Sequence, residues 1–424
     1  MNIPKTSKPR IVIVGGGFAG ISVIKQLRKE EVQIVLFDRN NYHTFQPLLY
    51  QVSTAGLEPD SIAYPLRKVF RKHADFHFRL GDVTSVNPEK NELTTSIGTI
   101  SYNYLVIATG TRTNFFGNDQ IQKNSMPMKS VPQALNIRSL MLQNIEAADI
   151  TSDLDKRKRL LNFVIVGAGP TGVELAGALA EFRKGILGVD YPELDEKEMQ
   201  VHLLEGADRV LAPMSAYASK KSKAYLERLG VQIHLNTIVE SYDGTTATTK
   251  NGKTFASETL IWAAGVTGNP INGIHGEALL DRPNRYKVDV FNTVHGFKNV
   301  FALGDVALME TDAFPKGHPQ VAQPAIQQGK QLGKNLKRLF KGKDMKPFSY
   351  LDKGSMATIG RNKAVVDIKN LHFGGAFAWF IWMFIHLWFL VGFRNRVITF
   401  FNWTYSYINY DRAARLIIRP FKKT

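Results

Sequence analysis

Gly15-Gly16-Gly17-Phe18-Ala19-Gly20 and Gly167-Ala168-Gly169-Pro170-Thr171-Gly172 each follow an apolar run, Arg10 to Val14 and Asn162 to Val166, that reads as a buried strand. One such glycine fingerprint is a weak signal; two in register decide the fold. In each, the first glycine permits a tight turn, the second lets the backbone approach a pyrophosphate, and the third lets the helix pack on the strand. The helix N-terminus then presents N–H groups and a positive dipole end to phosphate oxygens. The strand endings also recur, Ala108-Thr109-Gly110 after Tyr104 to Ile107 and Ala263-Ala264-Gly265 after Leu260 to Trp262. These repeats predict an α/β chain with two Rossmann-like dinucleotide-binding domains.

Working outward from the first fingerprint, a helix to about Leu27 and a strand from Val32 to Phe37 end in Asp38. That acid stands about 18 residues past Gly20, near the roughly 20-residue offset at which a carboxylate reaches a ribose hydroxyl. Around the second fingerprint the partner strand Gln200 to Leu204 ends in Glu205. The offset is longer because Gly185 to Glu198, with Gly, Pro and acidic residues, reads as an insertion. Glu205 would hold both ribose hydroxyls and repel a 2′-phosphate, favouring NAD, while nearby Arg209 leaves NADP open. Segments at Phe76 to Val86 and Asn91 to Ile100 read as a small sheet, Asp149 to Arg159 as a solvated connection, and Gln320 to Phe340 as a helix. The strand Asn299 to Leu303, ending in Gly304-Asp305, predicts that the first domain resumes after the second. Lys334 to Lys346 is a basic boundary.

The 424 residues, 44% of them hydrophobic, can supply more than one core. The absence of cysteine excludes a disulfide framework, a cysteine metal site, an iron–sulfur cluster and a redox dithiol. No metal-ligand spacing and no Ser/His/Asp signature is present. Met1 to Arg10 lacks an apolar signal segment, so the nucleotide domains are expected in the cytoplasm. The net charge of +17 points to an anionic partner. From Asn370 to Phe393 no Asp, Glu, Lys or Arg interrupts a run holding Trp379, Trp382 and Trp388. Gly374, Gly375 and Gly392 bracket it and shorten the helix. A basic amphipathic helix with Arg412, Arg415 and Arg419 opposite Tyr410, Ala414 and Ile417 is expected beyond it. This C-terminal region reads as lying in a lipid headgroup plane, with a dimer core or a spanning helix as alternatives. It is too apolar for a nucleic-acid groove.

Several residues are candidates for chemistry. Glu174, two residues past Gly172, would point toward the nicotinamide end of a dinucleotide, although the helix dipole alone favours an acid there. Asp305 would accept from a flavin ribityl hydroxyl, or cap a turn. Gln323 and Gln327 share a helix face and could offer amide donors to a carbonyl-bearing ligand. Asn41-Tyr42-His43 through Tyr50 mixes apolar bulk with a few polar groups, as a pocket lining would. His43 alone is more often structural than catalytic.

Together these motifs resemble the type II NADH:quinone oxidoreductases, the single-subunit respiratory NADH dehydrogenases of bacteria. The likeness covers nearly the whole chain and is most specific at Ala322-Gln323-x-Ala325-x-Gln327. It implies a glutathione-reductase-like flavoprotein with an FAD domain at 1–125 and 267–345, an inserted NADH domain at 126–266, and a membrane-binding, dimerising region at 346–424. FAD, held without a covalent link, would meet Gly15, Gly16, Gly17, Phe18, Ala19, Gly20, Asp38, Arg39, Val83, Thr109, Gly110, Gly304, Asp305, Ala322 and Gln323. NADH would meet Gly167, Gly169, Pro170, Thr171, Gly172, Glu174, Glu205, Ala264 and Gly265. The quinone, ubiquinone or menaquinone, would meet Pro47, Leu48, Gln323 and Gln327, with Glu174 and Gln323 carrying catalysis. The resemblance also implies a monotopic homodimer on the cytoplasmic side of the inner membrane. Competing readings are a soluble NAD(P)H-dependent flavin reductase serving a protein acceptor, or a nucleotide-binding membrane scaffold without turnover.

Overall fold

The computed structural model describes residues 1–280, 284–409 and 414–422. It divides into two compact units, each drawn from three stretches of chain. The first comprises Met1–His43, Tyr64–Arg112 and Val266–Asp352; the second comprises Thr44–Ala63, Thr113–Gly265 and Lys353–Thr424.

In the first unit five parallel strands lie in the order Val300–Ala302, Tyr104–Ile107, Arg10–Val14, Gln33–Asp38 and Phe76–Leu80. Ile11, Val12 and Ile13 are fully buried, because helices or sheets cover both faces of a parallel sheet. One face packs on the helices Phe18–Leu27 and Ala322–Leu339, and Gly329 permits their close crossing: a Cβ there would stand 2.5 Å from the Ala19 carbonyl oxygen. The strands Val83–Asn87, Glu92–Thr95 and Gly98–Ser101 form an antiparallel sheet with a register shift between Val83 and Ser85.

The second unit repeats this plan. Its parallel strands run Met126–Pro127, Thr259–Trp262, Asn162–Val166, Gln200–Leu204 and Gln232–His234. Its antiparallel sheet, Val239–Tyr242, Thr246–Thr249 and Thr254–Ala256, has the same kind of register shift between Val239 and Ser241. A further antiparallel sheet, Ser355–Thr358, Ala364–Ile368 and Leu371–Gly375, leads into the helices Ala376–Phe389 and Phe393–Asn409.

Two segments differ from the sequence expectation, and a third, after Phe182, takes a form the sequence reading left open. Residues Leu154–Leu161 form a helix, because Asp153 accepts from the Lys156 N–H at 3.0 Å and Leu160 and Leu161 are buried; the charge around them had suggested a loop. The segment after Phe182 continues as a π-helical turn, Arg183–Leu187, with Ile186 and Leu187 buried. The expected C-terminal basic helix does not form over 414–422: Gln143 clamps Phe421 through both its backbone N–H (2.7 Å) and carbonyl (3.1 Å), Arg415 pairs with Asp190, and Arg419 donates to Asn136. Tyr410 and Arg412 lie outside the described residues.

Gly392 adopts φ +91° and ends the aromatic run as two helices. The 14 residues of Ala376–Phe389 extend roughly 21 Å, short of the roughly 30 Å hydrocarbon core. Among the described residues no helix is long and apolar enough to cross a membrane.

Candidate functional site

The two glycine loops are built alike. Gly15 and Gly167 hold φ +106° and +102°, and a Cβ would stand 2.3 Å from the Ala108 carbonyl oxygen and 2.8 Å from the Ala264 Cα, respectively. A Cβ at Gly20 or Gly172 would stand 2.1 or 1.9 Å from the carbonyl oxygen of Gly15 or Gly167. Gly17 and Gly169 differ from these: a Cβ on either would meet nothing within 4 Å. No protein atom requires a glycine at those two positions, which fits close approach by a phosphate group. Each is also the N-cap of its helix, without a side-chain cap, so a pyrophosphate could take the orphan N–H groups.

The acids are placed equivalently as well. Asp38 accepts from the N–H groups of Gly16 and Asn40, both at 2.7 Å, while burial raises its pKa against those donors. Glu205 accepts from Ala168 N–H at 2.5 Å and Ala207 N–H at 2.9 Å. Arg209, which had left a 2′-phosphate open, donates to the carbonyls of Ala212 (2.6 Å) and Met214 (3.4 Å). Arg39 pairs with Asp82 at 3.5 Å, Val83 packs on the first unit's core, and His43 braces the first loop from behind through Nδ1 to the Gly16 carbonyl at 3.0 Å. Burial pushes His43 down to about 4, so it stays neutral. The Thr109 hydroxyl is buried without a hydrogen-bond partner, an orphan that the hydroxyls or phosphates of a flavin nucleotide would satisfy.

Gly304-Asp305 forms a one-turn 3-10 element, and the Asp305 carboxylate accepts from Thr111 at 3.3 Å. Two glutamines not singled out in the sequence hold this turn. Gln328 accepts the Gly304 N–H at 2.7 Å, and Gln320 donates to the Asp305 carbonyl at 3.0 Å. The density of glutamine from 320 to 328 was the signal for them. Ala322 and Gln323 begin the helix Ala322–Leu339, and both are partly exposed. Gln327, expected at the quinone, has a backbone partner here: its amide N–H donates to the Leu351 carbonyl at 2.9 Å and its amide oxygen accepts the Leu351 N–H at 3.0 Å. Leu48 is 0% exposed and belongs to the core, whereas Pro47 is partly exposed.

Within the second unit Pro170, Thr171 and Gly265 are exposed and Ala264 is partly so, leaving a surface at the strand ends open to a dinucleotide. Glu174 lies deeper, 7% exposed, accepting the Thr358 N–H at 3.4 Å. Burial pushes it up to about 8, overcoming the Thr358 N–H and the Trp382 indole, so the carboxyl holds a proton at neutral pH. The dipole argument anticipated a carboxylate; burial reverses it.

Residues 9–329 match the pyridine nucleotide-disulphide oxidoreductase family, and residues 353–409 match the NDH2 C-terminal domain. The chain is 36% identical over 424 residues to the type II NADH:quinone oxidoreductase NdhA of Mycobacterium tuberculosis, covering 96% of this chain and 89% of the relative. The chain belongs to the type II NADH:quinone oxidoreductases. Another family member, from Haemophilus influenzae, is 30% identical, with 85% and 87% coverage. A solved NDH2 from Plasmodium falciparum in complex with NADH superposes with TM-score 0.88 at 20% identity, covering 97% of this chain and 100% of that one. The sulfide:quinone oxidoreductase of Aquifex aeolicus shares the fold at TM-score 0.74 and 18% identity, covering 92% of each chain. This type II NADH:quinone oxidoreductase has no cysteine, so the disulfide chemistry in the broader family's name is absent from it.

Proposed function

We propose that this type II enzyme binds FAD non-covalently in its first nucleotide fold and NADH in its second, and reduces a membrane quinone by two electrons without pumping protons. The observation that carries the reading is the duplicated glycine loop whose middle glycine faces open space, joined in the first fold by the orphaned Thr109 hydroxyl. Bound FAD supplies the two-electron chemistry that links NADH oxidation to quinone reduction. The first loop and its helix would hold the FAD pyrophosphate, with Asp38 toward the adenosine ribose and Asp305 toward the ribityl chain. Glu205 would accept from the NADH ribose hydroxyls and repel a 2′-phosphate, with Arg209 turned to backbone carbonyls.

The balanced reaction takes NADH, one further proton and the quinone to NAD⁺ and the quinol. Gln323 would donate its amide N–H to a quinone carbonyl as charge develops there. Glu174 holds a proton at neutral pH and is proposed to deliver it.

Membrane association rests on the helix Ala376–Phe389, whose outward side is apolar. Phe377, Phe380, Phe384 and Trp388 are exposed, Phe384 by 65%, while Ala378 and Trp382 are buried. Arg396 stands 5.9 Å over the Trp388 ring, a cation at the edge of that aromatic side. An apolar face with a cation at its edge suits an anionic lipid surface. The proposed assembly is a peripheral homodimer on the cytoplasmic side of the inner membrane. Flotation with anionic vesicles should recover the protein, and Phe384→Glu should abolish recovery while leaving NADH oxidation by a short-chain quinone intact; unchanged flotation would remove this face from membrane binding.

Anaerobic stopped-flow absorbance tests the core of the proposal. NADH should bleach the flavin band and a short-chain quinone should restore it. Bleaching without recovery would indicate a protein acceptor instead, and purified protein without flavin would overturn the reading.

A further inference from the structure

Trp382 is anchored by its ring yet unsatisfied at its nitrogen. It is 2% exposed, and its indole stacks on His386 with centroids 4.1 Å apart and planes at 27°. His386 Nδ1–H donates to the Trp382 carbonyl at 2.7 Å, fixing the ring that supports the indole. Trp403, 5.6 Å away by centroid, donates its own N–H to Gln51 at 2.7 Å. Trp382 Nε1 is buried and makes no hydrogen bond of good geometry, although its N–H already favours the charged form of Glu174 weakly. Leaving a buried donor unpaired costs its full desolvation, so such a group needs a reason.

Glu174 supplies one. Its carboxyl lies within the influence of the Trp382 indole, and its hydrogen-bonded donor, the Thr358 N–H, is long at 3.4 Å. A protonated carboxyl tolerates so thin a shell; a carboxylate in the same interior does not. We propose that Trp382 is a positioning residue whose indole N–H is held in reserve for the carboxylate formed when Glu174 gives its proton to the quinone. This rests on the reading of Glu174 as proton donor. In that step the Glu174 O–H bond breaks and one quinol O–H bond forms, the hydride equivalent from NADH supplies both electrons and the second quinol proton, and solvent later restores the proton on Glu174.

Among the described residues, burial and the Thr358 and Trp382 donors, rather than a neighbouring charge, set the state of the Glu174 carboxyl. Its own helix carries Glu181, which accepts the Arg361 N–H, and the Ser355–Thr358 strand carries no ionisable side chain. Among the described residues, the titratable groups on the other elements packed nearby are Tyr50, Arg183, Lys184, His202, His386 and, on the Ala216–Arg228 helix, Tyr217, Lys220, Lys221, Lys223, Tyr225, Glu227 and Arg228, and none of them is a cause of the Glu174 shift.

The test is the pH profile of quinone-dependent turnover in the full-length holoenzyme, for Trp382→Phe, Glu174→Gln and the double variant. Activity should fall as pH rises through the Glu174 titration near 8. Trp382→Phe keeps the ring and removes the N–H, so this limb should move to higher pH by about one unit, with bleaching by NADH unchanged. Glu174→Gln should remove the limb, and the double variant should match it. An unmoved limb in Trp382→Phe, with the limb lost in Glu174→Gln, would overturn the role of Trp382 alone. A limb that persists in Glu174→Gln would overturn the donor reading and this inference with it. The unmutated protein gives a second readout: the Trp382 indole ¹⁵N–H resonance should shift over the same pH range and stay fixed in Glu174→Gln. A resonance that ignores pH in both would overturn the proposal even if Trp382→Phe does not fold.

Discussion

The two nucleotide folds share the order of four of their five strands, loop geometry and even the irregularity in the small sheet, yet they differ two residues past the fingerprint. Ser22 in the first fold and Glu174 in the second each lie two residues past the last glycine. Ser22 turns its hydroxyl back to the Phe18 carbonyl at 2.7 Å, under a helix that comes so close that a Cβ on Gly329 would stand 2.8 Å from the Ser22 Cβ. Glu174 is covered by the Thr358 strand and the aromatic Trp382, which leave room for a carboxyl but give it little solvation. The same loop therefore serves two purposes according to what packs on its helix. In the first fold the packing leaves a small hydroxyl bonded back to its own helix; in the second it encloses an acid.

The largest expected effect would break the equivalence of the loops. Gly15→Ala would force a Cβ against the Ala108 carbonyl and should yield protein without flavin, whereas Gly167→Ala should keep flavin and lose NADH reduction by 10²-fold or more, on the order of 3 kcal/mol. Flavin absorbance and NADH titration separate the two; flavin loss from Gly167→Ala would show that the folds are not assigned as proposed.

Next in size is the acid itself. Glu174→Gln should retain flavin and slow quinone reduction by roughly 10²-fold. It also has a stability signature. Because burial raises the Glu174 pKa from 4.5 to about 8, the unfolded chain binds fewer protons between those values, and the parent loses stability as pH rises through that window. Glu174→Gln should melt like the parent near pH 5 and several degrees above it near pH 9, a gain bounded by about 4–5 kcal/mol. Equal melting at both pH values would mean that the carboxyl is not held protonated.

A smaller contrast concerns the ribose acids. Asp38→Asn should lower flavin retention with little change in the NADH requirement, and Glu205→Gln should do the reverse, raising the NADH KM about 10-fold and narrowing the preference over NADPH. Smallest is the pair on one helix face. Gln323→Ala should raise the quinone requirement, while Gln327→Ala should leave it unchanged and lower stability by about 1–2 kcal/mol through the lost Leu351 hydrogen bonds. A quinone effect from Gln327→Ala would restore that amide to the site.

Much of this comparison was legible in the chain. The strand–glycine–helix pattern, the acids Asp38 and Glu205, and the paired strand endings follow from local spacing, and local spacing also governs their geometry. What escaped depends on contacts distant in sequence. Thr358 and Trp382 lie far along the chain from Glu174, so no window of sequence shows that its carboxyl is buried. Gln323 and Gln327 look interchangeable by helical period, and the Leu351 backbone alone separates them. Helical period misled at the C-terminus, where a clamp from Gln143 outweighs the amphipathic pattern, and charge density concealed the capped helix at Leu154–Leu161.

The threading of each unit through three stretches of chain sets the order in which this enzyme can mature. During synthesis the strand Tyr104–Ile107 emerges long before its neighbour Val300–Ala302, and its edge waits unpaired while the intervening residues are made. The last piece of the second unit begins only at Lys353. A ribosome stalled before residue 300 therefore releases a chain with an open, apolar strand edge, a substrate for chaperones or for aggregation. Late closure of both units makes quality control depend on full-length translation.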